Sequence, residues 1–252
     1  MRLFLIFLVG CSLSAFAWHG DHGKPKAAGD APQGAPQDYM MAAQAREAAG
    51  EIYFKLMKEG PAAEQYAALA EIFFDDSQPL PARFYYELAV AKDPENKALQ
   101  EGLKKIEDRL TYLDQRFKHF TERSKNEKKP NAYGSMAAIK FHMGYRREGV
   151  EILQTAINNF GEDPRIAPLI RTFQTQVAND RAIILALNEG VQKSIENGDV
   201  DAALKLVGQM IFVSSGHPDI MAVVQSVEKT KPQSIHPETL ALIEEFSKQH
   251  VN

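Results

Sequence analysis

Cysteine occurs once in the 252 residues, at position 11, and tryptophan once. Positive charge is not in excess: 29 Lys and Arg face 33 Asp and Glu, a formal net charge of −4. A generic nucleic-acid binder needs a basic surface, so that class is disfavoured. After the first ten residues no apolar run is long enough to cross a membrane. Period-two alternation is absent almost everywhere, which excludes a mainly β fold. The sequence also has no HExxH, no Cys/His metal spacing, no Gly-rich phosphate loop and no nucleophile elbow. No residue set argues for a reaction, a resident metal or a cofactor.

The start of the chain reads as an export signal over residues 1–17. Arg2 precedes the apolar run Leu3–Gly10, and Ala15 and Ala17 form an A-x-A-like cleavage site. A second reading of the same stretch uses Leu8-Val9-Gly10-Cys11, similar to the lipoprotein processing box, in which Cys11 becomes lipidated. Either route takes the mature chain out of the cytoplasm, to the periplasm or cell envelope. Cleavage after Ala17 removes the lone cysteine, so no disulfide follows and stability must come from packing. Residues 18–38 are rich in Gly, Pro, Ala and Gln and poor in large apolar residues. Such a stretch cannot bury enough surface to offset its ordering entropy and reads as a flexible tether. The folded part is expected over 39–252.

Within it the apolar positions keep helical spacing. Residues 39–59 favour helix up to Gly60-Pro61. Tyr66, Leu69, Ala70 and Phe73 form one stripe; Ala82, Tyr86 and Ala89 form the next, ended by Asp93-Pro94. Leu103, Ile106, Leu110, Leu113 and Phe117 mark a long helix or a degenerate pair over 95–129. A second pair of stripes follows around Gly144 and closes at Asp163-Pro164. A third lies around Asn197-Gly198-Asp199 and closes at His217-Pro218. Ala82, Gly149 and Ala203 open the second helix of each pair, where a small side chain permits a close crossing. An extra helix is expected over 164–181, and closing helices over 219–229 and 237–249.

These pairs, at 63–96, 130–164 and 184–218, resemble the tetratricopeptide repeat, a helix-turn-helix unit of about 34 residues. The resemblance implies an all-α, right-handed helical solenoid with irregular extra helices. It implies a non-catalytic protein–protein scaffold that holds a peptide or helix in a concave groove lined by the first helix of each unit. Carried over position by position, that lining is Glu64, Ala67, Glu71, Phe74 and Asp75, then Asn131, Gly134, Ala138, Phe141 and His142, then Asn188, Gln192 and Glu196. Some family members clamp a C-terminal carboxylate with Lys and Asn at these places. Glu71 and Ala67 stand there instead, and the acidic and aromatic lining suits a basic or amphipathic segment.

Other constellations read as structural. Asp75-Asp76-Ser77-Gln78 is a helix-terminating turn and cap, and Asn197–Asp201 is a turn plus N-cap that lacks the ligands of a calcium loop. The run Arg116–Lys129, with six Lys/Arg against two Glu, reads as a solvated helix face. His19 and His22 lie in the tether, where nothing rigid fixes a metal geometry. Two alternatives to an adaptor remain open: a self-assembling oligomer, and a metal-dependent protein or enzyme that brings His119, His142 and His217 together.

Overall fold

A computed structural model describes residues 35–127, 129–161, 163–214 and 218–249. The expected signal peptide, Cys11, His19, His22, His217 and most of the tether lie outside the described residues. Among the described residues every regular element is an α-helix, and there are ten. The all-α expectation therefore holds. No described helix is long and apolar enough to cross a membrane.

The first helix, α1 (Ala35–Glu59), begins four residues before the expected start of the folded part at Tyr39. It is followed by α2 (Ala63–Asp75) and α3 (Pro79–Lys92), the first expected pair. The backbone N–H of Ala62 donates to Gln65 Oε1 at 3.0 Å, half of a capping box that starts α2. Ser77, at φ 59°, turns the chain, and the Gln78 N–H returns to the Phe73 carbonyl at 2.8 Å. Asp93 and Pro94 end α3 where the sequence places the stop. Ala70 and Ala82 are fully buried, as the close-crossing argument requires.

Next comes α4 (Lys97–Glu127), a single helix of 31 residues, which settles the choice left open over 95–129. The second pair is α5 (Pro130–Met143) and α6 (Arg146–Phe160), joined at Gly144 with φ 101°. Then α7 (Ala167–Glu196) leads through Gly198 into α8 (Val200–Ser214), and the chain closes with α9 (Pro218–Thr230) and α10 (Pro237–Gln249). Asp199 Oδ1 accepts from the Ala202 N–H at 3.0 Å, the N-cap expected there. Sequence neighbours pack as antiparallel pairs, chiefly α2 on α3, α5 on α6 and α7 on α8.

The expected extra helix over 164–181 does not stand apart from the first helix of the third pair. Both belong to α7, because no Gly or Pro interrupts residues 169–189. Its two halves serve different neighbours. Phe173 joins Ala137 and Leu153 in a small core with α5 and α6, while Ile184 and Val191 belong to the main core.

The two ends of the fold meet. Gly50 on α1 and Gly208 on α8 sit at a crossing so close that a Cβ on Gly208 would lie 2.9 Å from the Gly50 carbonyl oxygen. Phe73 of α2 packs on Phe212 of α8 with ring centres 4.9 Å apart. Buried Thr239 donates its hydroxyl to the Leu56 carbonyl at 2.5 Å, and the His236 N–H donates to the Met57 carbonyl at 2.6 Å. Ion pairs Lys58–Asp201, Lys205–Glu51 and Lys92–Glu238 rim this contact. They are exposed, each worth at most ~1 kcal/mol. Closure rests on apolar burial: Tyr53, Leu56, Phe73, Leu204, Met210 and Ile211 are each at most 2% exposed. Side chains of that size contribute ~1.5–3 kcal/mol apiece when fully buried.

Candidate functional site

The outward face of α2 follows from its helical period. With Tyr66, Leu69, Ala70 and Phe73 turned into the core, Glu64, Glu71 and Asp75 fall on the opposite side and are exposed, with Phe74 half-buried between. Glu71, Phe74 and Asp75 form one wall of a cavity of about 120 Å³ whose other walls come from α3 and α4. Tyr86 of α3 donates its hydroxyl to Glu71 Oε1 at 3.3 Å. Burial, then the neighbouring Glu71 carboxylate, pushes the Tyr86 pKa up to about 12, so it stays a neutral donor. The floor is Gly102 of α4. A Cβ there would lie 2.5 Å from the Tyr86 ring, so only glycine lets α4 approach this closely. From the next turn Lys105 reaches over the Phe74 ring, its Nζ 4.7 Å from the centroid. Among the described residues neither Glu71 nor Asp75 has an ion-pair partner.

The expected lining residues of α5 and α7 do not share this cavity. Phe141 stacks on Phe173 with centroids 3.5 Å apart and planes 10° from parallel. It also lies against Gly149, where a Cβ would come within 2.2 Å of the ring. Phe141 therefore locks α5, α6 and α7 together instead of lining an open groove. His142 lies beside Arg109 of α4. Partial burial, then that positive charge, lowers its pKa and favours the neutral ring. The side-chain amide oxygens of Asn131 and Asn188 are buried without a partner among the described residues, and Gln192 is exposed on α7. One continuous lining through all three pairs is not what these contacts build. Of the α2 set Glu71, Phe74 and Asp75 are brought together while Glu64 and Ala67 lie outside the cavity; the α5 and α7 sets are dispersed.

No described group of three or more His, Cys, Asp or Glu residues is placed to hold a metal ion. His119 is edge-on to Phe120 of its own helix, ring centres 5.3 Å apart, away from the His142–Arg109 contact.

Three features escape sequence reasoning. Tyr86, Gly102 and Lys105 complete the α2 cavity from two other helices; only Gly102, a lone glycine in a helical run, carried a signal. A wider cleft of about 600 Å³ lies between α1 and α8, lined by Glu47, Glu51, Lys205 and Leu206 among others. Its cation is already engaged, since Lys205 pairs with Glu51 at 2.8 Å. Third, Arg146 at the start of α6 donates to Asp180 in the middle of α7 and lies near Asp76 in the α2–α3 turn. Gln78 donates to Asp76 at 2.6 Å. Burial raises the pKa of both carboxylates despite the shared arginine. This network ties three pairs of helices together and offers no cavity for a substrate.

No protein-family model, curated protein or solved structure matches this chain.

Proposed function

We propose that the protein is a non-catalytic adaptor built of tetratricopeptide-like hairpins, exported to the cell envelope, that binds a basic or amphipathic segment of a protein partner. The observation that carries this reading is the α2 cavity. Two carboxylates with no ion-pair partner among the described residues, an aromatic face and a tyrosine hydroxyl converge on one exposed hollow. Three helix pairs at 63–96, 130–164 and 184–218, with small buried residues Ala82, Gly149 and Ala203 at their crossings, support the repeat assignment. The irregular elements are α1, the long α4 and the N-terminal half of α7.

Because α1 and α10 pack on one another and Phe141 is half-buried and held against Phe173 and Gly149, the binding surface is the outward face of α2 with its α3 and α4 neighbours. A groove running through all three pairs is not required. Carboxylates around an aromatic ring attract cationic side chains through charge and the ring quadrupole. The test is a pull-down from the envelope fraction with the full mature chain and with Glu71→Lys combined with Phe74→Ala. The reading expects stoichiometric partners that the double variant loses. Unchanged recovery would overturn it.

A further inference from the structure

The geometry points to Lys105 as a resident occupant of the α2 cavity, an internal stand-in for the lysine or arginine side chain that the partner inserts there. This inference rests on the adaptor reading and names the chemistry of its contact. Lys105 sits one turn beyond the glycine floor, so its stem crosses the cavity rim and its ammonium caps Phe74 at 4.7 Å. Its neighbour Lys104 behaves differently, paired with Asp108 of the same helix at 2.7 Å. Among the described residues Lys105 makes no ion pair, although Glu71 and Asp75 line the same hollow. The contact it does make is therefore a cation–π contact at an exposed edge, the weak end of that interaction. A cation thus already lies over this ring, while the two carboxylates beside it have no ion-pair partner among the described residues and Glu71 holds only the Tyr86 hydroxyl.

An incoming cationic side chain can take both places at once. It would lie over Phe74 where Lys105 lies now and extend to Glu71 and Asp75, which Lys105 leaves unpaired. Tyr86 holds Glu71 in position by its hydroxyl, and Gly102 keeps the floor open. Lys105, being exposed and attached to solvent-facing α4, swings out without disturbing the core. Its departure is the cost of binding, and its presence sets a threshold: neutral segments do not displace it.

The consequence is counterintuitive. Removing a positive charge from the surface should be unremarkable for folding, yet Lys105→Ala should strengthen binding of a cation. The probe is Nα-acetyl-lysine methylamide, with the neutral glutamine analogue as control, titrated into the full chain and followed by backbone amide resonances. The lysine amide should shift Glu71, Asp75 and Gly102 saturably, and the glutamine amide should not. Lys105→Ala should tighten the lysine amide about two- to fivefold, the effect of an exposed cation–π contact. Lys104→Ala should leave the affinity nearly unchanged, and Glu71→Gln with Asp75→Asn should abolish saturation. Weaker or equal binding to Lys105→Ala, or no saturable shift in either chain, overturns the inference. That failure is distinguishable from failure of the adaptor reading. If the pull-down still depends on Glu71 and Phe74 while the amide does not bind, the adaptor stands and the resident-lysine contact falls. If the amide binds as described but the pull-down is unaffected by Glu71→Lys with Phe74→Ala, the cation site stands alone.

Discussion

Placing a methyl group on Gly208 tests the closure of the fold at its tightest point. An added Cβ would meet Tyr53 Cβ at 2.6 Å, the Gly50 carbonyl oxygen at 2.9 Å and Gly50 Cα at 3.1 Å. None of these is the free end of a flexible side chain. Carbon atoms pack best at roughly 3.5–4.0 Å, so α1 must move off α8 by about half an ångström or more. That motion loosens Tyr53, which is buried and bonded through its hydroxyl to Tyr85 at 2.5 Å. Overpacking costs ~1–3 kcal/mol, and contacts this short against a Cβ and backbone atoms belong to its upper part, ~2–3 kcal/mol; replacing a mid-helix glycine by alanine returns ~1 kcal/mol. Gly208→Ala should therefore lose about 1–2 kcal/mol, seen as a lower urea midpoint with an unchanged m value. In a chain of this size that corresponds to roughly 2–8 °C in Tm. Gly190→Ala is the control. Its Cβ would meet only Leu206 Cδ1, at 3.0 Å, the mobile end of a side chain. It should be neutral or gain up to ~1 kcal/mol. A Gly208→Ala protein as stable as the parent, with Gly190→Ala behaving alike, would refute the close α1–α8 crossing.

Three further outcomes follow from the contacts. Thr239→Val keeps the shape but leaves the buried Leu56 carbonyl without its hydroxyl donor, so it should cost ~1–3 kcal/mol in chemical denaturation. Asp76 and Asp180 have pKa values raised in the folded state. Their ionised forms oppose folding, so their contribution is complete below the unfolded carboxylate pKa and is lost as pH rises through the folded values. Asp76→Asn should accordingly flatten the stability profile between neutral and mildly acidic pH and raise stability at neutral pH, measured by urea titrations at stepped pH. His142 has the opposite sign: its lowered pKa gives stability that is present above the unfolded histidine value and lost as pH falls through the folded one. His142→Gln should remove that acid-side loss without affecting stability at pH 8.

The helix pairs were legible because local rules carry them. Tyr66, Leu69, Ala70 and Phe73 keep one face; Ala82 and Ala203 mark crossings; Asp93-Pro94 ends α3 by a steric effect on the residue before proline, whereas α6 already stops at Gly161, ahead of the expected Asp163-Pro164. The continuity of α7 was less legible. Asn179-Asp180 looks like a boundary, but Arg146, 34 residues earlier, pairs with Asp180 and lets an acid sit inside the helix. The closure of the ends had no local signal at all. Thr239 and Leu56 are 183 residues apart, and Gly50 and Gly208 each look only like weak helix formers until they face one another. Of the candidate site, Glu71, Phe74 and Asp75 were legible from helical period and resemblance together. Phe141 was assigned to the same lining because its register matches. The extra half of α7 brings Phe173 over it, which no pattern within 130–164 could reveal. Tyr86 and Lys105 enter the site from helices whose stripes speak only of packing.

In the proposed complex a partner's cationic segment lies on Phe74 between Glu71 and Asp75. Replacing Phe74 by the photo-crosslinker p-benzoylphenylalanine, in the full chain and in the cells that make it, tests this at the site itself. One dominant adduct is expected, its crosslinked peptide carrying lysine or arginine at the point of attachment, and it should be lost when Glu71→Lys is added. No adduct at position 74, or an adduct indifferent to Glu71→Lys, would contradict the proposed complex.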